Sequence, residues 1–171
     1  MTTLDLADLD RRLRRIEDRA EIQELGQRYC RCIDDNDWTR LRTLFTDGAA
    51  MAGQTGGDAV VATLRAIRSG YGRTIHTAHG LVPEELGDDH ARGYVPSSAQ
   101  LVIGGEFVVS AIRYFDTYAK VGGAWKFASR DLRFVYALPW SQASLALVDG
   151  LPVRWPGSEP APIDDLSGGP R

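Results

Sequence analysis

The chain has 171 residues, a formal net charge of −3 and 43% hydrophobic residues, a profile typical of one globular domain with a substantial core. The acidic balance argues against a nucleic-acid partner, and no run approaches the roughly 20 apolar residues of a membrane span. The charged N-terminus does not resemble a secretory signal. The only cysteines, Cys30 and Cys32, point in different directions on a helix and are poorly placed to pair. We therefore expect a reduced, cytoplasmic protein without a membrane partner.

Two apolar stripes of different phase occupy the first 33 residues. The first stripe comprises Leu6, Leu9, Leu13 and Ile16, and the second comprises Ile22, Leu25, Tyr29 and Ile33. Asp18 lies between the stripes and is a candidate N-cap. The pattern predicts either a short helix followed by a long one, or one long helix with a bend. Residues 1–17 are interpreted as an N-terminal helical extension.

Two further helices are predicted before residue 73. Asp37 is the expected N-cap of a helix whose apolar residues lie at helical spacing between 38 and 45. The glycine-rich segment GAAMAGQTGG then indicates a strand edge or a loop. Asp58 is the expected cap of a helix that carries apolar residues at positions 60–67 and ends at the sequence SGYG.

Strand patterns dominate from residue 74 onward. Residues 74–82, 90–103, 107–121 and 124–138 are predicted strands, and short glycine turns join the last three into an antiparallel meander. Pro96 is expected to mark an edge, a bulge or a bend. Residues 139–171 are interpreted as a partly irregular C-terminal extension in which Trp140 and Trp155 dock on the domain or on another subunit. Helices followed by strands predict an α+β domain with helices packed on an antiparallel sheet.

Asp34 is the most informative polar residue of the predicted helices. At 100° per residue it forms a row with Gly26 and Cys30 beside the buried stripe. It also lies near the helix C-terminus, where the macrodipole disfavours negative charge. We expect burial and dipole together to raise its pKa. The alternative is a turn residue that caps the next helix.

The two histidines of the first predicted strand, His76 and His79, are three residues apart and should face opposite sides of the sheet. At most one of them is therefore expected in a site, and the alternative for either is a half-buried, hydrogen-bonded side chain. Their spacing chelates poorly, so no metal is expected. Glycine spacing shows no nucleotide-binding signature.

Polar and aromatic residues of the last two strands are weaker candidates. Tyr114, Asp116 and Tyr118 share one face of their strand, whereas Arg130 and Arg133 lie on opposite faces of theirs. Cross-strand pairing on the solvated side of the sheet is the alternative explanation for all of them.

Residues 18–49, together with three later motifs, resemble the SnoaL-like branch of the NTF2-like superfamily. That branch opens with an Ile and Leu pair, an aromatic, an Asp, then Asp-Trp and a helix that ends with Phe and Asp. The matching residues here are Ile22, Leu25, Tyr29, Asp34, Asp37, Trp38, Phe45 and Asp47. The later motifs are TIH at 74–76, RYFD at 113–116 and GAWKF at 123–127 with a following arginine. The resemblance covers residues 18–137, and residues 18–138 are taken as the domain.

The resemblance implies a cone-shaped α+β barrel in which three N-terminal helices pack on a curved antiparallel sheet around a deep pocket. It also implies that His76 and Asp34 form a dyad, in which the imidazole removes a proton from carbon while Asp34 holds its tautomer. Tyr29, Tyr114 and Arg130 are the candidate substrate-binding residues, and core packing is the equal alternative for Tyr29.

The chain departs from scytalone dehydratase, which adds two tyrosines and a second histidine to the dyad. Ile33 and approximately Gly53 align with the tyrosines, and Leu101 falls near the histidine. We therefore expect a different substrate. The expected function is cofactor-free dehydration, isomerisation or cyclisation of a small, mostly apolar cyclic or polyketide-like molecule. The alternative is a non-catalytic ligand-binding or accessory module, such as the small subunit of a ring dioxygenase.

Two apolar surfaces predict association between copies of the chain. The stripe between residues 4 and 16 is too narrow to form a core by itself. The sheet face near Phe107, Val108 and Phe115 is also expected to be exposed. Both features favour a homo-oligomer, either a dimer or a trimer.

Overall fold

The computed structural model describes residues 5–146, 153 and 155–160. Within these residues, helices and strands follow one another along the chain in a mixed order. The helices are α1 (Leu6–Asp35), α2 (Trp38–Thr43) and α3 (Gly57–Arg68). The strands are β1 (Phe45–Met51), β2 (Gln54–Thr55), β3 (Tyr71–Ala78), β4 (Val82–Leu86), β5 (His90–Ile103), β6 (Glu106–Val121) and β7 (Ala124–Pro139). A 3₁₀ helix over Trp140–Leu145 follows β7.

Of the two predicted alternatives, the structure has the single long helix, α1. Asp18 is not an N-cap, because the chain continues as helix on both sides of it. Its buried carboxylate instead accepts hydrogen bonds from Lys120 Nζ at 2.5 Å and from the indole of Trp125 at 2.8 Å. These bonds attach α1 to the turn between β6 and β7. The helix ends before Asn36, which adopts the left-handed conformation with φ 57°.

The predicted N-cap is correct for α2 but not for α3. Asp37 is confirmed as the N-cap of α2, since its carboxylate accepts from the backbone N–H of Arg40 at 3.0 Å. The prediction that Asp58 caps α3 is wrong. The N-cap is Gly56, with φ 102°, and Asp58 lies in the first turn, where Arg42 Nε donates to it at 2.9 Å. Glycine is suited to this positive φ.

The strands form one sheet in the order β2-β1-β7-β6-β5-β3, with β4 also paired to β5. The predicted meander of β5, β6 and β7 is confirmed as antiparallel. One pair differs from the prediction, because β1 runs parallel to β7. Residues 82–86 form a separate strand rather than the end of β3. Pro96 lies on β5 between Ser97, which pairs with β3, and Tyr94, which pairs with β4. Its missing N–H therefore coincides with the gap between two partner strands.

The core lies between α1 and the sheet. The second apolar stripe, residues 22–33, is buried as predicted. The first stripe is exposed, and at 100° per residue it points about 180° away from the second. The predicted domain boundary between residues 17 and 18 falls inside α1, at its first buried residue. Of the expected exposed sheet face, Phe107 is exposed, but Val108 and Phe115 are buried, which corrects that expectation. Among the described helices, none is both long and apolar enough to cross a membrane.

Candidate active site

The end of α1 and the middle of β3 bring a carboxylate and an imidazole together. Asp34 is in the last turn of α1, and His76 lies on β3 with its side chain directed toward that helix. The Oδ1 atom of Asp34 is 2.6 Å from Nδ1 of His76. Its Oδ2 accepts from the backbone N–H of His76 at 2.8 Å, and Thr74 Oγ1 donates to Oδ1 at 2.7 Å. Three hydrogen bonds therefore fix the carboxylate against the ring.

These hydrogen bonds reverse the expected shift of the Asp34 pKa. Burial raises the pKa, as the sequence predicted, but the hydrogen bonds from His76 and Thr74 outweigh burial and lower it below its usual value. The expectation of a raised pKa is therefore wrong. The cause is local, because Thr74 and the His76 backbone supply donors that helix geometry alone does not reveal. Asp34 is thus an anion that can hold a proton on Nδ1 of the imidazole.

The other histidine of this segment lies outside the site. His79 is exposed, in agreement with the predicted opposite orientation of the two rings. Its backbone N–H donates to the carbonyl of Pro96 at 3.0 Å. His79 therefore provides a matched control for substitutions of His76.

A cavity of about 480 Å³ opens beside the His76 ring, between α1, α3 and the sheet. Most of its lining side chains are apolar or aromatic. They include Ile33, Met51, Leu64, Ile67, Tyr71, Leu101, Ile112, Leu132, Phe134 and Trp155. His76 contributes to the lining, whereas Asp34 lies behind it. This volume suits a small organic molecule.

The three candidate substrate-binding residues all line the same cavity. Tyr29 comes from α1, Tyr114 from β6 and Arg130 from β7. The guanidinium carbon of Arg130 lies 4.3 Å from the ring centre of Tyr29 and 4.0 Å from that of Tyr114. Both distances indicate cation–π contacts. The alternative to the pocket was the solvated face for Tyr114 and Arg130, and core packing for Tyr29. The structure places Tyr114 and Arg130 on the pocket side, whereas Tyr29 both packs in the core and lines the cavity.

Arg130 is held by a buried carboxylate. Its Nε and Nη2 donate to the two oxygens of Asp116 at 2.8 and 2.7 Å, and the two side chains are 1% and 0% exposed. Tyr118 donates to the same carboxylate at 2.8 Å. Burial lowers the pKa of Arg130, but Asp116 outweighs burial and raises it. Cross-strand pairing, the alternative for Asp116, is therefore observed, because Asp116 and Arg130 are register partners on β6 and β7. The expected solvated side is wrong, because Asp116 and Tyr118 are both buried.

Two donors remain for a bound molecule at this end of the cavity. Nη1 of Arg130 is buried and has no hydrogen-bond partner in the described part of the chain. The hydroxyl of Tyr114 makes no hydrogen bond to any described residue. Burial raises the pKa of Tyr114 well above its usual value, so the hydroxyl keeps its proton. Burial also raises the pKa of Tyr29, to about 12.

Sequence reasoning missed several residues of this region. Thr74 precedes His76 by two residues, so strand alternation could have placed it on the same face. Asp116 was noted on the correct strand face, but nothing in the sequence pairs it with Arg130. Arg68, at the end of α3, also lines the cavity. The sequence does not predict that Arg68 lines the cavity, because arginines in the last turn of a helix commonly face solvent, where they interact with the negative end of the helix dipole.

The positions that depart from scytalone dehydratase also lie on the cavity. Ile33, Gly53 and Leu101 all line it. The structure therefore has apolar side chains, or none, where the resemblance implies tyrosines and a second histidine.

Comparison with solved structures supports the fold assignment. The chain is similar to hexachlorocyclohexane dehydrochlorinase LinA-type3 from Novosphingobium barchaimii, with 24% identity, a TM-score of 0.67, and coverage of 78% of this chain and 94% of that one. A putative scytalone dehydratase from Novosphingobium aromaticivorans shares 24% identity at a TM-score of 0.63, with 88% and 95% covered. An NTF2-like protein with a cystatin-like fold from the same organism shares 28% identity at a TM-score of 0.61, with 77% and 90% covered.

A search of curated proteins found no match. The model of the SnoaL-like domain matches residues 14–131, which is more than half of the chain. This range contains most of α1, both Asp34 and His76, and Arg130. The chain is therefore a member of the SnoaL-like domain family, within the NTF2-like superfamily.

Proposed function

We propose that this protein is a cofactor-free enzyme in which His76 removes a proton from a carbon atom of a small, mostly apolar cyclic molecule. The observation that carries the proposal is the 2.6 Å contact between Asp34 and His76 at the wall of a largely apolar cavity. Asp34 accepts the Nδ1 proton, which leaves the lone pair of Nε2 available as a general base.

The charge of Asp34 matters once the proton has been transferred. The ring then becomes an imidazolium, and the adjacent carboxylate stabilises it through a charge-assisted hydrogen bond. The lowered pKa of Asp34 favours the anionic form that this role requires. The bonds from Thr74 and from the His76 backbone keep the carboxylate in position.

The electron pair released from carbon needs an acceptor. In substrates with an adjacent carbonyl it moves onto the carbonyl oxygen and forms an enolate. Nη1 of Arg130 and the Tyr114 hydroxyl are the available donors for that oxygen. In substrates with a hydroxyl on the neighbouring carbon, the pair forms a double bond while the C–O bond breaks, and the departing hydroxide takes a proton to become water. Isomerisation, dehydration and cyclisation share the first step.

Hydrogen–deuterium exchange tests this first step without knowledge of the full reaction. Cyclohexanone, 2-tetralone and 2-indanone in deuterated buffer exchange their α-protons, and proton NMR measures the rate. We expect the wild-type protein to accelerate exchange of at least one ketone, His76→Ala to remove the acceleration and His79→Ala to retain it. Absence of acceleration for all three, or equal acceleration by His76→Ala, contradicts the proposal and favours a non-catalytic binding module.

The exposed first stripe of α1 supports a second copy of the chain as partner. Its 3-4-3 spacing fits the core of a two-helix coiled coil over residues 6–16. In a parallel pair, Arg12 of one copy faces Glu17 of the other, and Arg19 faces Glu24. An antiparallel pair would place like charges together. The proposed assembly is therefore a parallel homodimer through the start of α1.

A further inference from the structure

Arg68, the last residue of α3, is a buried cation on the wall of the cavity. The residue is only 9% exposed and is one of the lining residues. Its Nη1 donates to the backbone carbonyl of Tyr71 at 3.0 Å. Its Nε is fully buried without a partner, and no carboxylate of the described residues pairs with the guanidinium. Arg68 therefore brings a positive charge to the cavity without a counter-ion.

The other buried arginines of the described structure do have acidic partners. Arg130 is paired with Asp116, and Arg133 is paired with Asp131 at 2.9 Å. A buried charge without a partner is costly, because burial removes its hydration and nothing replaces it. A guanidinium presents paired N–H groups on which a carboxylate forms two parallel hydrogen bonds. An anion bound at Arg68 would neutralise this buried positive charge.

We infer that Arg68 is an anion-binding subsite of the cavity and that the substrate carries a carboxylate which pairs with this guanidinium. The role of this ligand as a substrate rests on the proposed function, whereas anion binding at Arg68 does not depend on catalysis. The wall of the cavity then carries both a base, His76, and a cationic anchor, Arg68.

The volume of the cavity sets the size of the ligand. The cavity of about 480 Å³ has both Arg68 and His76 on its wall. Two linked or fused rings that carry a carboxylate suit a cavity of this size.

The wall beside Arg68 is aromatic. The ring of Trp155 lies 6.0 Å from that of Tyr71 and 5.4 Å from that of Phe134, and all three residues line the cavity. Flat rings pack favourably against such a surface. The ligand class is therefore an aromatic or polycyclic carboxylic acid.

Calorimetric titration with 4-biphenylcarboxylate and its neutral amide, 4-biphenylcarboxamide, tests the subsite at neutral pH. We expect the wild-type protein to bind the acid at least about tenfold more tightly than the amide, in line with a hydrogen bond to a charged group. Arg68→Gln should reduce the preference to about twofold or less, while Arg68→Lys, which keeps the charge, should retain part of it. Arg65→Gln is the matched control, an exposed arginine one turn earlier on α3.

Three results would overturn the inference. They are equal binding of acid and amide by the wild-type protein, an undiminished preference in Arg68→Gln, and an equal loss in Arg65→Gln. The first needs no variant, so it remains decisive if Arg68→Gln does not fold. His76→Ala should keep the preference for the acid. Failure of the proposed catalysis and failure of the anion subsite are therefore distinguishable.

Discussion

Replacement of Asp34 by Asn removes the charge that faces the protonated ring of His76 while it keeps the size of the side chain. The Asp34 side chain is 20% exposed, so the pair is only partly screened by water. Two unit charges about 4 Å apart attract each other by about 4 kcal/mol at an effective dielectric constant of 20. That energy corresponds to about 10³ in rate, and screening reduces the expected loss to roughly 10²–10³.

The assay is the initial rate of α-deuteration of the ketone that the wild-type protein exchanges fastest, at saturating ketone. Thr74→Val is the graded comparison, because it removes one hydrogen bond from Asp34 and keeps the charge. Its expected loss is less than about tenfold. A loss below about threefold in Asp34→Asn, with thermal unfolding unchanged, would refute the electrostatic reasoning. An equal loss in His79→Ala would refute it as well.

Three further predictions concern stability and assembly. Arg130→Met leaves Asp116 buried without its cation, so we expect a loss of about 3–5 kcal/mol of unfolding free energy in urea titrations. The double variant Arg130→Met with Asp116→Leu should lose less unfolding free energy than the single variant. A larger loss in the double variant contradicts the pairing of Arg130 with Asp116. Because the folded pKa of Asp34 is lowered, its contribution to stability is present above about pH 4 and is lost as pH falls through the folded value. Asp34→Asn should therefore show a smaller decrease in melting temperature between pH 5 and pH 3 than the wild-type protein, and an equal decrease argues against the lowered pKa. Leu9→Asp with Leu13→Asp should convert a dimer into a monomer by light scattering, whereas an unchanged mass excludes the start of α1 as the contact.

Local signals in the sequence predicted much of the fold. Apolar periodicity identified the buried face of α1, and glycine turns identified the meander of β5, β6 and β7. The Asp37 cap also follows from a local signal. The parallel pairing of β1 with β7 could not be predicted, because it joins segments about 80 residues apart and depends on closure of the whole sheet.

In the candidate site, too, local signals were predicted correctly and contacts between distant segments were not. Helix geometry indicated that Asp34 lies near the interior, and strand alternation separated His76 from His79. The sign of the Asp34 pKa shift was wrong, because it depends on donors from β3 that are 40 and 42 residues away in the sequence. The prediction that Asp18 and Asp58 are helix caps was also wrong because it did not include contacts with distant residues. Both are good capping residues, but tertiary ion pairs with Lys120 and Arg42 determine where they lie.

The tautomer of His76 tests the arrangement of the dyad without any substrate. Long-range nitrogen–proton NMR of uniformly labelled protein distinguishes a protonated ring nitrogen from one with a free lone pair, and His76→Gln assigns the signal among the three histidines. For the neutral ring, the proposed base requires the proton on Nδ1, hydrogen-bonded to Asp34, and the lone pair on Nε2. A neutral His76 that carries its proton on Nε2 would leave no base facing the cavity and would contradict the mechanism.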